Sequence, residues 1–185
     1  MRLIDKDGIV EYLPKVFNQT NDYFGKLLTK CHWQTERVKV YGKWHELRRQ
    51  TAWYGTANYR YSGQLKQAQA WLPELLEIRA KVQELTGEVY QGVLLNYYPD
   101  GLVGIGWHAD DERDLLPGSA IASVSFGVTR RFDLRHKDGE TISVNLKHGS
   151  LLVMAGELQK HWKHQIPVQK KITEARINLT FRVMV

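Results

Sequence analysis

The sharpest candidate for metal chemistry in the chain is a His-X-Asp motif formed by His108 and Asp110. On an extended segment, residues two apart project to the same side, so both side chains could bind one ion. A second histidine would come from His161 or His164, which point to opposite faces of a strand, so at most one of them joins the site. Two histidines and one carboxylate are typical of non-haem Fe(II) oxygenases, whereas zinc more often recruits cysteine or a third histidine. The competing interpretation is an exposed acidic turn that begins at Asp110.

Polar and apolar side chains alternate along the last segment of the chain, which predicts a strand. One face is polar and the other is an apolar row: Arg176, Asn178, Thr180 and Arg182 against Ile177, Leu179, Phe181 and Val183. The polar face could simply be exposed. If Arg176 and Arg182 instead point into a barrel, they need anionic partners, because an unpaired buried charge is costly. Arg176 and Arg182 are six residues apart, which is about 20 Å along a strand. Their guanidinium groups could therefore converge on a dianion but not on one carboxylate. A small dicarboxylate beside iron indicates 2-oxoglutarate.

The elements that must position these residues are mainly strands. Period-two alternation recurs through the second half of the chain, and Asp138-Gly139 is a hairpin signal. In the first half, helical spacing predicts one helix from Tyr23 to Cys31, with Thr20 and Asn21 as cap candidates, and another from about Trp71 to Leu85. Residues 32–70 are rich in aromatic and basic side chains and show little periodicity. We therefore expect a sandwich or barrel with helices packed outside it.

Composition limits the possible classes of protein. The 185 residues are 43% hydrophobic and 25% charged, which is typical of a soluble globular domain, and no apolar run approaches the roughly 18 residues of a membrane span. The net charge of +6 slightly favours a polyanionic partner such as nucleic acid. The single cysteine, Cys31, cannot form an internal disulfide. Acidic residues near the N-terminus argue against a signal peptide, so a cytoplasmic or nucleoid location is expected.

Taken together, these motifs resemble the AlkB family of Fe(II)- and 2-oxoglutarate-dependent nucleic-acid dealkylases, which are built on a double-stranded β-helix. The resemblance rests on Asn96-Tyr97-Tyr98, His108-Ala109-Asp110, His164 and the run from Arg176 to Arg182. It covers roughly residues 38–185, and segments 41–45, 59–63, 120–127, 135–138 and 148–152 are similar to the eukaryotic homologues that act on DNA. The first 37 residues match nothing useful.

The resemblance implies a role for each matching position. Fe(II) is expected to be bound by His108, Asp110 and His164. The 2-oxoglutarate pocket is expected to contain Tyr98 and Arg176 at the distal carboxylate, Asn96 and Arg182 at the end beside the metal, and Thr180 along its wall. The residues expected to contact substrate are Tyr41, Gly42, Lys43, Tyr59, Tyr61 and Asp111.

The expected substrate is a base flipped out of nucleic acid. Tyr61 and His108 would sandwich the base, and Asp111 would lie near its polar edge. Tyr41 would stand where the family inserts an apolar finger into the duplex, although a related homologue has Phe there. Tyr59 is a further candidate for stacking on a base. The candidate phosphate contacts are Lys43, Arg48, Arg49 and Arg60.

The resemblance also implies an architecture and a reaction. We expect a single dioxygenase domain over 1–185, with helices and a nucleotide-recognition lid in 1–88 and a jelly-roll core in 89–185. The reaction would remove N-alkyl groups, as in 1-methyladenine and 3-methylcytosine, with O₂ as co-substrate and formaldehyde, succinate and CO₂ as products. The partner would be alkylated DNA, single or double stranded, with RNA as a further candidate, and the protein a monomer without membrane contact. It would be nucleoid-associated in a bacterium and nuclear in a eukaryote.

Two alternatives remain open at this point. The same oxygenase chemistry could act on RNA, on a protein side chain or on a small metabolite, because function depends on the site and its lid rather than on the fold. A catalytically silent nucleic-acid-binding module is the alternative from another class. The complete set of metal and dicarboxylate residues argues against the silent module.

Overall fold

The computed structural model describes residues 1–18, 22–61 and 64–185, without the side chains of residues 38–40, 61 and 64. Strands dominate this part of the chain, and helices are few. The strands are β1 (Arg2–Asp5), β2 (Ile9–Leu13), β3 (Gln34–Val40), β4 (Lys43–Gly55), β5 (Tyr59–Tyr61), β6 (Gln64–Lys66), β7 (Gly92–Tyr98), β8 (Ile105–His108), β9 (Ile121–Gly127), β10 (Arg130–His136), β11 (Thr141–Leu146), β12 (Ser150–Ala155), β13 (Trp162–Ile166) and β14 (Arg176–Arg182). The helices are α1 (Tyr23–Lys30), α2 (Pro73–Thr86) and α3 (Leu158–His161).

Two antiparallel sheets form the core within the described ranges. The larger has the order β1-β2-β12-β9-β14-β7-β4-β3, and the smaller has the order β11-β10-β13-β8. Strands β5 and β6 form a separate hairpin. One apolar cluster lies between the two sheets, where Leu94 and Ile121 of the larger sheet meet Leu134 and Trp162 of the smaller. The double sheet confirms the predicted jelly-roll core.

The second apolar cluster lies on the outer face of the larger sheet, under the two longer helices. Leu27 of α1 and Ile78 of α2 pack there against Ile177, Leu179 and Phe181 of β14. Burying one such side chain contributes about 1.5–3 kcal/mol. All residues of β14 are consequently buried, one face under helices and the other between the sheets. Arg176 and Arg182 therefore point inward, as the strand pattern predicts, and not toward solvent.

The helices begin and end where local sequence chemistry places them. The Asp22 side chain accepts a hydrogen bond from the Gly25 N–H at 2.9 Å and caps α1, whereas the predicted caps Thr20 and Asn21 lie outside the described residues. Helix α2 has Pro73 at its first turn and ends at Gly87, whose φ of +74° is a left-handed conformation that glycine adopts readily.

The first half of the chain contains more strand than its sequence pattern predicts. Residues 32–70 form β3 to β6, and β1 and β2 extend the larger sheet from the N-terminal end. The absence of clean alternation in β4 has a physical reason, because Thr51 to Tyr54 are buried on both faces. Strands from 1–88 thus share a sheet with strands from 89–185, and the division of the chain at residue 88 stays a prediction, as does the lid. None of the described helices is long and apolar enough to cross a membrane.

Candidate active site

The candidate metal group lies where β8 meets β13 in the smaller sheet. His108 and His164 are directly opposite each other in the antiparallel register, and their ring centroids are 4.3 Å apart. Asp110 follows two residues after His108, with its Oδ1 3.9 Å from the His108 Nε2. One ligand atom from each of the three residues lies within 4.8 Å of the others. Two imidazoles and one carboxylate on this scale can hold one divalent ion.

Each histidine of the group is oriented by a neighbour. The His108 Nδ1 is 2.8 Å from the Gly106 carbonyl oxygen, which can only accept, so Nδ1 carries the proton and Nε2 presents its lone pair. Phe132 stacks on the His164 ring at 5.3 Å. Burial lowers the pKa of His164 to about 4, so its imidazole is neutral at pH 7, which is the form that binds a metal.

Asp110 is held by the guanidinium of Arg182. Burial alone would raise the pKa of the Asp110 carboxyl, but attraction to Arg182 and the two histidines outweighs burial and lowers it. The Arg182 Nη2 is 3.2 Å from the Asp110 Oδ1, and its Nη1 is 3.1 Å from the Glu112 Oε2. The Gln159 side-chain oxygen accepts from the Asp110 backbone N–H at 2.9 Å. The carboxylate is therefore ionised and fixed in direction.

Tyr59 lies in the protein interior and not at a position where it could stack on substrate. Its ring is fully buried and stacks on Trp53, with centroids 4.5 Å apart, and its hydroxyl accepts a hydrogen bond from the Arg182 Nη1. Burial raises the pKa of the Tyr59 hydroxyl. The prediction that Tyr59 stacks on substrate is therefore wrong, because both the ring and the hydroxyl are occupied. The residue positions Arg182, and through it Asp110.

Arg176 is a buried cation with spare hydrogen-bonding capacity. Its Nη2 donates to the Ser125 Oγ at 2.9 Å, while Nε and Nη1 have no hydrogen-bond partner in the described part of the chain. Its guanidinium carbon lies 5.4 Å from the centre of the Tyr98 ring, the cross-strand neighbour in β7. Burial lowers the pKa of Arg176 to about 10, so it stays charged at pH 7. A buried guanidinium with two unpartnered nitrogens has the charge and the spare donors to bind one carboxylate of a dianion.

One cavity contains every predicted metal and dicarboxylate residue. Among the side chains that line it are the eight expected from the sequence: Asn96, Tyr98, His108, Asp110, His164, Arg176, Thr180 and Arg182. The buried Asn96 Oδ1 has no partner there within the described residues, and the Thr180 hydroxyl donates to the Asn178 side-chain oxygen at 3.3 Å. Side chains that can bind a metal ion and a guanidinium that can bind a carboxylate therefore line the same cavity. These residues fit Fe(II) and 2-oxoglutarate.

A second cavity of about 190 Å³ adjoins the first. The two share Asp110, Met154 and Arg182. The second cavity is otherwise mostly apolar, with Asp111, Glu112 and Lys160 in its wall. A ligand in it would lie next to the metal group.

The remaining predicted substrate residues lie on two hairpins and in the loop after β8. Tyr41 is fully exposed at the tip of the β3–β4 hairpin, with a left-handed φ of 48°, and is followed by Gly42 at φ 81° and by the exposed Lys43. Asp111 is exposed at the rim of the second cavity. The side chain of Tyr61 is not among the described side chains, so its contact with substrate stays a prediction.

Two of the predicted phosphate contacts are already paired with acids. Arg49 is buried, with its Nη2 2.6 Å from the Glu36 Oε2, and therefore belongs to the interior rather than to a nucleic-acid surface. Arg48 is exposed, and its Nη2 lies 2.5 Å from the Asp100 Oδ2.

Sequence reasoning missed several residues that shape the site. Glu112 and Gln159 hold Arg182 and Asp110, and nothing in their local pattern distinguishes them from exposed polar residues. Ser123 and Ser125 had a usable signal. They alternate with apolar residues on β9 and lie opposite Thr180 and Asn178 of β14, so polar faces meet across the two strands.

The chain belongs to the 2OG-Fe(II) oxygenase superfamily, whose family model matches residues 9–182, and within it to the AlkB family. It is 42% identical to the mouse protein named DNA oxidative demethylase ALKBH2 over 182 residues, covering 91% of this chain and 73% of that protein. It is 46% identical to the human protein of that name over 157 residues, covering 79% of this chain and 60% of that protein. Rat alpha-ketoglutarate-dependent dioxygenase alkB homolog 3 is 33% identical, with 99% of this chain and 70% of that protein covered.

A solved structure shows the same fold at low sequence identity. The structure of OsALKBH1 matches with a TM-score of 0.59 and 16% identity, covering 94% of this chain and 97% of that one. The family membership confirms the expected enzyme class, an Fe(II)/2-oxoglutarate dioxygenase.

We expect His164→Ala to abolish Fe(II)-dependent succinate release, because one of three metal-binding groups is lost from a buried site. His161→Ala is the matched control. His161 ends α3 and lies outside the group, so this variant should keep most of the turnover. Succinate release by both variants, with circular dichroism to confirm folding, makes the comparison. Loss of turnover in His161→Ala with retention in His164→Ala would contradict the assignment.

Proposed function

We propose that this protein is an oxidative DNA dealkylase that removes alkyl groups from the ring nitrogens of bases. The observation that carries the proposal is the single buried cavity that joins the His108, Asp110 and His164 group to the unpartnered N–H groups of Arg176. DNA as substrate is supported by similarity to relatives named DNA oxidative demethylase and by the net charge of +6. Such a substrate would place the protein with the nucleoid in a bacterium or in the nucleus of a eukaryote.

In this proposal, His108, Asp110 and His164 hold Fe(II), and Arg176 binds the distal carboxylate of 2-oxoglutarate beside Tyr98. When bound, the ion and its co-substrate would supply oxidation of the alkyl carbon by O₂, with release of succinate, CO₂ and finally formaldehyde. The residues themselves perform no bond-breaking step. They orient the bound groups and exclude water, which is the usual contribution of protein to cofactor chemistry.

Arg182 has a positioning role in this proposal. Its contacts to Asp110 and Glu112 keep the Asp110 carboxylate ionised and aimed at the metal position. Asn96 and Thr180 lie between the metal group and Arg176 in the lining of the cavity, where the unpartnered Asn96 amide oxygen marks space for a further polar group. The predicted contacts of Arg182, Asn96 and Thr180 with 2-oxoglutarate are part of the proposal.

The substrate base enters next to the metal in this proposal. A base alkylated at N1 of adenine or N3 of cytosine carries a positive charge, which the exposed carboxylate of Asp111 would attract at the rim of the second cavity. A base in a duplex must first be flipped out, at a cost of a few kcal/mol that is lower where the lesion already blocks pairing. Tyr61 and His108 would hold its two faces, as the family resemblance implies.

The lid of this proposal consists of the two hairpins in residues 1–88. Strands β3 and β4 carry Tyr41, Gly42 and Lys43 at an exposed tip, and β5 and β6 carry Tyr61. Tyr41 would fill the hole that a flipped base leaves in a duplex. Residues 89–185 form the core in this division, with β1, β2 and β4 completing its larger sheet.

We expect Arg176→Ala to raise the KM for 2-oxoglutarate at least about 30-fold, because truncating one partner of a buried charge pair costs about 2–5 kcal/mol. Arg176→Lys should restore part of the affinity, since lysine keeps the charge but not the paired N–H groups. Arg135→Ala is the control, because Arg135 is exposed and lies over Trp107. The measurement is succinate release against 2-oxoglutarate concentration. An unchanged KM in Arg176→Ala would remove this residue from the co-substrate site.

The proposed function is tested by mass spectrometry of an oligonucleotide that carries one 1-methyladenine. The protein is incubated with Fe(II), ascorbate, 2-oxoglutarate and either the DNA or the RNA form of the strand. We expect loss of the methyl group from DNA, with formaldehyde and succinate formed in step with it. Turnover on RNA alone would favour the RNA alternative. DNA binding without turnover on any nucleic acid would favour the silent module, and either result would overturn the proposal.

We expect Tyr41→Ala to reduce the repair of duplex DNA more than that of the same strand unannealed, because only a duplex has a hole to fill. The stacking lost is worth about 1–3 kcal/mol, or roughly 5- to 150-fold in kcat/KM on the duplex. Tyr41→Phe keeps the ring and should restore the duplex rate. An equal loss of kcat/KM on the duplex and on the unannealed strand would show that Tyr41 does not insert into the duplex.

A further inference from the structure

A second group of metal-binding side chains lies outside the active site. Asp7 in the turn between β1 and β2, His136 at the end of β10 and His161 at the end of α3 each offer one ligand atom, and these atoms lie within 4.8 Å of one another. We call these three residues the hairpin cluster. They come from three separate segments of the chain and share no residue with the His108, Asp110 and His164 group.

His136 lies between two carboxylates in the hairpin cluster. Its Nε2–H donates to the Asp7 Oδ2 at 3.1 Å, and its Nδ1 accepts from the Asp138 backbone N–H at 3.3 Å, with the Asp138 Oδ1 2.9 Å away. An ion between His136 and Asp7 would replace the Nε2 proton, and the Nδ1 could then donate to the Asp138 carboxylate. This carboxylate–histidine arrangement is the common support of metal-bound imidazoles. The rings of His136 and His161 are nearly parallel, 13° apart, with centroids separated by 6.2 Å.

The turn that carries Asp7 is fixed before any ion binds. The Lys6 carbonyl oxygen accepts from the Trp162 Nε1–H at 2.9 Å. Gly8 lies against α3 so closely that a Cβ there would be 2.6 Å from the Leu158 Cα. Asp7 itself has a left-handed φ of 51°. A ligand on a preordered turn loses little conformational freedom when it binds an ion.

The charges around the hairpin cluster leave room for a cation. Lys6 is paired with Asp138 and Glu140, and Lys160 is paired with Glu157. The other Glu157 oxygen, Oε2, is 3.8 Å from the His161 Nε2. Asp7 and His161 are 45% and 32% exposed in their side chains, so an ion can enter from solvent.

We propose that the hairpin cluster binds a divalent transition-metal ion through two imidazoles and a carboxylate, and Zn²⁺ is the redox-inert ion used to probe it. The bound ion ties the β1–β2 turn to the end of β10 and to the segment that leads into β13. Because His164 lies three residues beyond His161, the ion braces the strand that carries an active-site residue. Since the ligand atoms meet only in the folded chain, binding stabilises the fold. This inference goes beyond the proposed function and does not depend on it.

The test counts Zn²⁺ bound to the full-length, metal-stripped protein by calorimetric titration and elemental analysis. The active-site group also binds Zn²⁺, so we expect two equivalents in the wild type and in His45→Ala, an exposed histidine outside both groups. His161→Ala and Asp7→Asn should each bind one equivalent, and His164→Ala one. Zn²⁺ should also raise the unfolding temperature of His164→Ala but not that of His161→Ala/His164→Ala.

The opposite results would overturn the proposal. One equivalent in the wild type that disappears with His164→Ala would mean that the hairpin cluster is an ion-pair network only. Two equivalents retained in both His161→Ala and Asp7→Asn would place the second ion elsewhere. Both variants change partly exposed side chains, and their Zn²⁺-free unfolding curves show whether they fold. Their Fe(II)-dependent turnover should stay at the wild-type level, which separates this test from that of the active site.

Discussion

The active site depends on one buried ion pair, between Arg182 on β14 and Asp110 after β8. Both side chains are almost fully buried, and a buried pair is stable only when further hydrogen bonds satisfy its remaining groups. Glu112, two residues after Asp110, and Tyr59 on β5 provide these bonds to Arg182. Tyr59 is in turn held by stacking on Trp53, whose ring lies so close to Gly92 that a Cβ there would be 2.2 Å from it. Gly92 is the cross-strand neighbour of Arg182. The contacts from Arg182 to Tyr59, Trp53 and Gly92 therefore form a closed loop.

This closed set of contacts explains why a strand in the middle of a sheet can carry two arginines. Strand β14 lies between β9 and β7, and its apolar face is covered by helices α1 and α2. The apolar contacts fix the register, since a slip of one residue would move Arg176 and Arg182 into the apolar cluster under the helices. The same register leaves Arg176 short of partners while Arg182 has several. One arginine thus orients Asp110, and the other has spare donors that face the cavity.

That most of the predicted metal and dicarboxylate residues line one cavity could be predicted from the sequence, because they lie on strands with period-two alternation and Asp110 follows two residues after β8. His108, His164 and Arg176 lie on inward-facing positions of β8, β13 and β14, where period-two spacing decides which way a side chain points. Tyr59 and Arg49 could not be placed in this way. They lie in a region buried on both sides, where aromatic and basic residues look the same whether they face DNA or the interior. Long-range partners decided their roles, namely Arg182 for Tyr59 and Glu36 for Arg49.

The hairpin cluster was missed for a related reason. Asp7, His136 and His161 are far apart in the chain, and two short strands before residue 14 bring the first of them to the others. Those strands carry little signal alone, because they are four and five residues long and gain their stability by pairing with each other and with β12.

In the proposed function, the core holds the metal and co-substrate, and the hairpins contact the substrate. The metal group and Arg176 lie between paired strands, where a shift of one side chain disturbs many packed neighbours. Tyr41 stands alone at a hairpin tip, where a new side chain meets only solvent or a ligand. In the proposed function, changes at the tip would alter which nucleic acid is bound while Asp110 and Arg182 stay in place. The oxidation would then depend on residues between the two sheets, and the selectivity on the exposed tip of the β3–β4 hairpin.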